Sequence, residues 1–69
     1  MEYYRYVIQN ANGQYYWECN VSSMWGLIDN LEGAYLFKTE SSARARIKTA
    51  NMQNCTVRKV KIELVKEGV

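Results

Sequence analysis

The chain has no histidine and no proline, a single aspartate (Asp29), four isolated glycines and two cysteines. Each scarcity removes a class of function. Histidine is the side chain that ordinarily titrates near neutrality, and general acid–base chemistry leans on it. The six glutamates are scattered, with no spacing that pairs them for shared acid–base work. A nucleophilic cysteine needs a base beside it, and here only remote lysines could serve. Two cysteines without histidine cannot complete a four-ligand zinc site. The glycines form no phosphate-cradling loop. The residues therefore predict a protein that is not an enzyme, holds no metal and no cofactor, and works by binding.

No stretch approaches the roughly 18 consecutive apolar residues of a membrane span, so no membrane partner is expected. No secretory leader is evident, which predicts reduced thiols at Cys19 and Cys55 and a cytoplasmic location. There is no internal repeat and no low-complexity tract.

What is present argues for one folded domain over residues 1–69. Hydrophobic residues make up 48%, and there are two Trp, six Tyr and one Phe. That is too apolar for disorder. Aromatics let a short chain bury enough area to fold, and a homodimer is the other common route to stability at this size. The net charge of +2 hides an asymmetry. Residues 1–37 carry Arg5 against Glu2, Glu18, Asp29 and Glu32. Residues 38–69 carry eight cations against Glu40, Glu63 and Glu67. A basic half attracts nucleic acid or an acidic protein; its plain alternative is a solvated face.

The chain is organised around a hairpin over residues 3–21, centred on Asn12-Gly13. Asn-Gly between aromatic and β-branched runs is a strong hairpin signal, because both residues tolerate positive φ. A two-residue loop pairs Ala11 with Gln14, Asn10 with Tyr15, Ile8 with Trp17, Tyr6 with Cys19 and Tyr4 with Val21. This register predicts the Trp17 face as core. Val7 with Glu18, Gln9 with Tyr16 and Arg5 with Asn20 then lie on the outer face.

Residues 22–33 read as an ordered connection with one helical turn at 27–31. Its Trp25, Leu27, Ile28 and Leu31 are expected to cap one end of the core; the alternative is Met24 and Trp25 exposed as a binding anchor. Ala34–Lys38 reads as a third strand, apolar on both faces. A helix follows over 40–53 with Thr39 as its N-cap and a stripe of Ala43, Ile47 and Ala50 facing the sheet. Asn51 or Asn54 can end it by adopting the left-handed conformation. Residues 55–66 form the last strand, with Val60, Ile62 and Leu64 alternating against Lys59, Lys61 and Glu63. Cys55 and Val57 are out of phase, which implies a bulge near Arg58-Lys59 or cover on both faces. Glu67-Gly68-Val69 is expected to fray. The order β-β-β-α-β predicts a two-layer α+β domain: a four-stranded, mainly antiparallel sheet with one helix on one face.

Two surfaces are candidates for binding. The first is aromatic, with Tyr3 and Tyr16 on the outer hairpin face and Trp25 nearby; Trp is a frequent interface anchor. The second is basic, with Arg44, Arg46 and Lys48 on the helix and Arg58, Lys59 and Lys61 on the last strand. It suits a protein partner or phosphates. Glu40, Glu63 and Glu67 interrupt it, and no nucleic-acid-binding signature is present.

The run Tyr6-Val7-Ile8-Gln9-Asn10, then Gly13-Gln14-Tyr15-Tyr16-Trp17, then Trp25, then Ala34-Tyr35-Leu36-Phe37-Lys38-Thr39-Glu40-Ser41-Ser42-Ala43, resembles short proteins encoded by bacteriophages and prophages. Those proteins open on a similar hairpin and continue with a lone Trp and a strand-to-helix step. The resemblance covers nearly the whole chain but rests on turn residues, core aromatics and a helix start. It implies a small phage product in the host cytoplasm that binds a host protein or protein–nucleic-acid complex. Anti-CRISPR and other anti-defence inhibitors are often of this size, lack catalysis and act by occluding a surface. The alternatives are a direct nucleic-acid binder using the basic helix and last strand, and a self-associating subunit.

Overall fold

The Asn12-Gly13 turn forms, with one more residue in its loop than the two-residue hairpin requires. In the computed structural model, which describes residues 2–19 and 24–63, Gly13 N–H donates to the Asn10 carbonyl at 3.0 Å. Asn10 N–H donates in turn to the Gln14 carbonyl at 2.9 Å. The loop is therefore Ala11-Asn12-Gly13, closed by Gly13 at φ +82°. Asn10 holds it from the side: its Oδ1 accepts from Asn12 N–H at 3.0 Å and Gln14 N–H at 2.8 Å. Such short-range amide bonds compete well with regular pairing.

One extra loop residue moves the register. Gln9, not Asn10, lies opposite Tyr15, and a slip of one residue turns one strand over relative to the other. The expected Trp17 core face is thereby corrected. Tyr16 joins Ile8 in the core, while the Trp17 indole lies against Gly26, where a Cβ would sit 3.0 Å from Nε1. The expected pairs that involve Asn20 and Val21 lie outside the described residues. Gly13→Ala tests this turn. A Cβ there meets nothing nearer than 4.0 Å, so the cost is backbone conformation alone, about 1–2 kcal/mol. Urea unfolding of the variant should show that loss, and Gly13→Asn should recover much of it.

Four strands make one antiparallel sheet in the order β3-β2-β1-β4: β1 (Glu2–Asn10), β2 (Tyr15–Glu18), β3 (Trp25–Ile28) and β4 (Cys55–Glu63). The expected α+β architecture holds, but its third strand is Trp25–Ile28 rather than Ala34–Lys38, and a short 3-10 turn follows at Leu31–Gly33. Trp25 is 48% and Met24 65% exposed, so this stretch is an edge strand and not a lid on the core. Residues 35–37 have a different task. β1 and β2 part after Tyr16, and this segment enters the fork. Tyr35 N–H donates to the Tyr16 carbonyl at 2.9 Å, and Tyr6 and Phe37 exchange backbone hydrogen bonds of 2.9 and 2.8 Å. Phe37, wedged between the strands and under the helix, has to be apolar, while Leu36 beside it is 40% exposed; the unbroken apolar run is why the segment reads as a strand.

The helix α1 spans Glu40–Thr49. Thr39 caps it as expected, its Oγ1 accepting from Ser42 N–H at 3.2 Å. It ends earlier than 53. Asn51 takes φ +54°, its N–H reaches the Lys48 carbonyl, and Met52 N–H reaches the Ile47 carbonyl at 3.0 Å. This is the paired closure of a left-handed helix end. Ala43 is fully buried against Ile8, Tyr16 and Phe37, with Ile47 and Met52 beside them.

β4 pairs with β1 residue for residue, from Glu2 with Glu63 to Asn10 with Cys55, so no bulge interrupts it. Strand alternation then places Tyr4, Tyr6, Ile8, Cys55, Val57, Lys59 and Lys61 on the helix side. Tyr3, Arg5, Val7, Gln9, Thr56, Arg58, Val60 and Ile62 lie on the other. Val60 and Ile62 therefore face away from the helix, while Cys55 and Val57 join its core. Val60 and Ile62 are half-buried between exposed Lys59, Lys61 and Glu63, as expected, and with no bulge the out-of-phase Cys55 and Val57 reflect apolar residues on both faces of the strand; Leu64 and the frayed end lie outside the described residues. No helix among the described residues is long and apolar enough to cross a membrane.

Candidate functional site

A polar cluster at the core is formed by Tyr16, Glu18 and Arg46. Tyr16 is only 1% exposed and donates from its hydroxyl to Glu18 Oε1 at 2.9 Å. The Arg46 guanidinium reaches the same oxygen at 3.2 Å. Burial, then the hydrogen bond to Glu18 and the charge of that carboxylate, push the Tyr16 phenol up to about 12. Such a phenol stays neutral across the physiological range and is a poor proton donor or acceptor for catalysis. The trio clamps α1 to β2. Desolvation likewise raises the Cys55 thiol, which disfavours the thiolate a nucleophile needs. Neither Cys19 nor Cys55 forms a disulfide. Among the described residues no three or more His, Cys, Asp or Glu side chains group so as to hold a metal.

The expected aromatic surface does not assemble. Tyr3 lies on the face away from the helix and is 40% exposed. Tyr16 is a core residue, corrected by the register shift. Trp25 sits on the helix side of the edge strand β3, its ring 5.7 Å from that of Tyr16.

The expected basic face divides as well. Arg44 pairs with Glu40 one helical turn away at 3.3 Å, an exposed pair worth little. Arg46 is engaged with Glu18, and Lys48 is exposed on the helix. Arg58 lies on the sheet face opposite the helix, where its Nε donates to Gln9 Oε1 at 3.0 Å. Lys59 and Lys61 project on the helix side.

What the fold does bring together is a basic, aromatic ribbon made from β1 and β4. The core under α1 takes Tyr6 and Ile8 from β1 and Cys55 and Val57 from β4. Residues 2–5 and 60–63 continue past it as paired strands, and the molecule is correspondingly long, 44 × 23 × 21 Å. Each face carries a cation stacked on a tyrosine. Arg5 lies 4.4 Å from the Tyr3 ring centroid on one face. Lys59 lies 4.5 Å from that of Tyr4 on the other, and Tyr4 is half exposed. Such stacks fix the long cationic side chains in place. Toward the other, hairpin end of the same ladder, a shallow notch of about 430 Å³ is lined by Gln9, Asn10, Asn54, Cys55 and Arg58 among others.

Sequence reasoning missed Tyr4 and Arg5, because their role depends on which strand lies beside β1. Alternation along Tyr3-Tyr4-Arg5-Tyr6 separates the faces, but the cations that complete them come from the far end of the chain. No protein-family model, curated protein or solved structure matches this chain, so its fold and its surface are read from its own residues.

Proposed function

We propose that this chain is a small non-catalytic protein that binds a host protein complex and inhibits it by occluding a surface. The observation that supports this reading is the β1–β4 ribbon, which presents Tyr3, Tyr4, Arg5, Arg58 and Lys59 outside the core. Aromatic and arginine side chains are the residue types that anchor protein interfaces. The role as an anti-defence inhibitor in the host cytoplasm is what the resemblance to phage-encoded proteins implies. A direct nucleic-acid binder acting through the helix has less support. Arg44 and Arg46 are paired with carboxylates, and the strand cations point to two different faces.

Affinity capture from bacterial host lysate, with and without nuclease, tests the reading. A partner that survives nuclease and is lost with Arg58→Glu/Lys59→Glu supports it. A signal that disappears with nuclease, or one indifferent to those charges and to Tyr3→Ala/Tyr4→Ala, overturns it.

A further inference from the structure

The outer edge of β4 carries a row of outward-turned backbone groups. In an antiparallel ladder each residue turns its N–H and C=O either toward its partner strand or away from it, in strict alternation. Tyr6 uses both its backbone groups on Phe37, and Asn10 N–H turns to Gln14. Even-numbered residues of β1 thus face away from β4, and their partners in β4 face away from β1. Ile8 pairs with Val57 and Tyr6 with Lys59. Val57 and Lys59 therefore direct their N–H and C=O groups outward along the free edge, where no described segment meets them. The strand is nine residues long, regular, and free of the proline and bulges that usually blunt an edge.

Charge decides what this edge can take. Arg58 lies on one face of β4 and Lys59 and Lys61 on the other, with Glu63 at the end. Added to this edge antiparallel about its middle, a second copy would set Lys59 directly against Lys59 and crowd both sets of cations along one border, and like charges directly opposite are destabilising. An incoming strand with carboxylates would be attracted on both faces. We infer that β4 receives an extended acidic segment of a partner protein, added as a fifth strand beside Val57 and Lys59. Main-chain bonds supply affinity in this mode and side chains supply selectivity. The inference rests on the ribbon being the contact surface, and it names the chemistry and geometry of the partner.

The test uses the full chain and a short blocked peptide of alternating glutamate and valine, with a lysine–valine peptide as control. Amide NMR spectra should shift at Val57 and Lys59 with the acidic peptide only, and amide exchange at those positions should slow. Lys59→Gln removes the charge; Lys59→Pro removes the charge and the outward N–H but no bond to β1. Circular dichroism first establishes that both variants are folded. Lys59→Pro should bind about tenfold more weakly than Lys59→Gln, the loss expected for one main-chain hydrogen bond. Equal binding by the two variants overturns strand addition; should Lys59→Pro fail to fold, NMR shifts away from Val57 and Lys59 do the same. So does equal binding of the lysine–valine peptide, tighter binding of a single-stranded oligonucleotide, or concentration-dependent dimerisation through β4. A peptide that fails while the lysate partner is still captured removes this inference and leaves the proposed function standing.

Discussion

Replacing Phe37 with alanine is expected to cost about 3–5 kcal/mol. Stability scales at roughly 0.05–0.15 kcal/mol per residue, so in so short a chain that loss unfolds much of the population. Phe37 is only 5% exposed and holds three things together. Its ring stacks at 6.1 Å on Tyr16 and meets Tyr35 edge-on at 4.8 Å. Its backbone bridges Tyr6 in the fork between β1 and β2. Truncation leaves a void between sheet and helix that the neighbouring strands, already splayed there, cannot close. Leu36→Ala is the internal control. It alters the same segment at a residue that is 40% exposed, and it should stay within about 1 kcal/mol of the parent. Urea unfolding followed by tryptophan fluorescence separates the two. Equal losses at both positions would mean that the wedge acts through its backbone and not through the Phe37 ring.

The second large effect is alkaline. Burial keeps Tyr16 neutral in the folded state, with its phenol at about 12 against an ordinary 10.0. The unfolded chain therefore releases this proton first. The stabilisation is fully present below pH 10 and is lost progressively from there to about 12. At about 1.4 kcal/mol per unit, the loss reaches about 2–3 kcal/mol at the top of that range. Tyr16→Phe should be less stable than the parent near neutrality, by about 1 kcal/mol for the bond to Glu18, yet fall less steeply above pH 10. The remaining tyrosines and lysines titrate in both proteins, so the difference between their stability–pH curves isolates Tyr16. Parallel curves would show that Tyr16 is not the group being desolvated.

How far the fold is legible from sequence follows from where local chemistry has no rival. The helix start is legible because Thr39 and Glu40 act within one turn. Its end is legible in kind, since Asn51 and Asn54 both take the left-handed conformation, but not in place, because residues 50–53 keep a helical composition after the chain has turned. The architecture is legible from the number and type of apolar runs. The hairpin register is not. Three aromatics in a row, Tyr15-Tyr16-Trp17, give alternation no preferred phase, so the loop decides, and the Asn10 side chain selects the longer loop. The β1–β4 ribbon is not legible for a related reason. Arg58 and Lys59 were visible as cations, but their meeting with Gln9 and Tyr4 depends on β4 lying beside β1, a choice made by no local signal.

That adjacency also governs how the chain can come to be folded. β1 is the earliest strand to be synthesised, and its full-length neighbour β4 is the latest one described. The longest ladder in the molecule therefore closes the largest loop, and non-local pairing of this kind slows folding. While a ribosome is still making the middle of the chain, β1 has only the short β2 and the Tyr35–Phe37 wedge to lean on. An apolar strand with one edge bare is the species most prone to stick to its neighbours. The cations of β4 thus arrive last, and their arrival both completes the sheet and places a repulsive strand at its border.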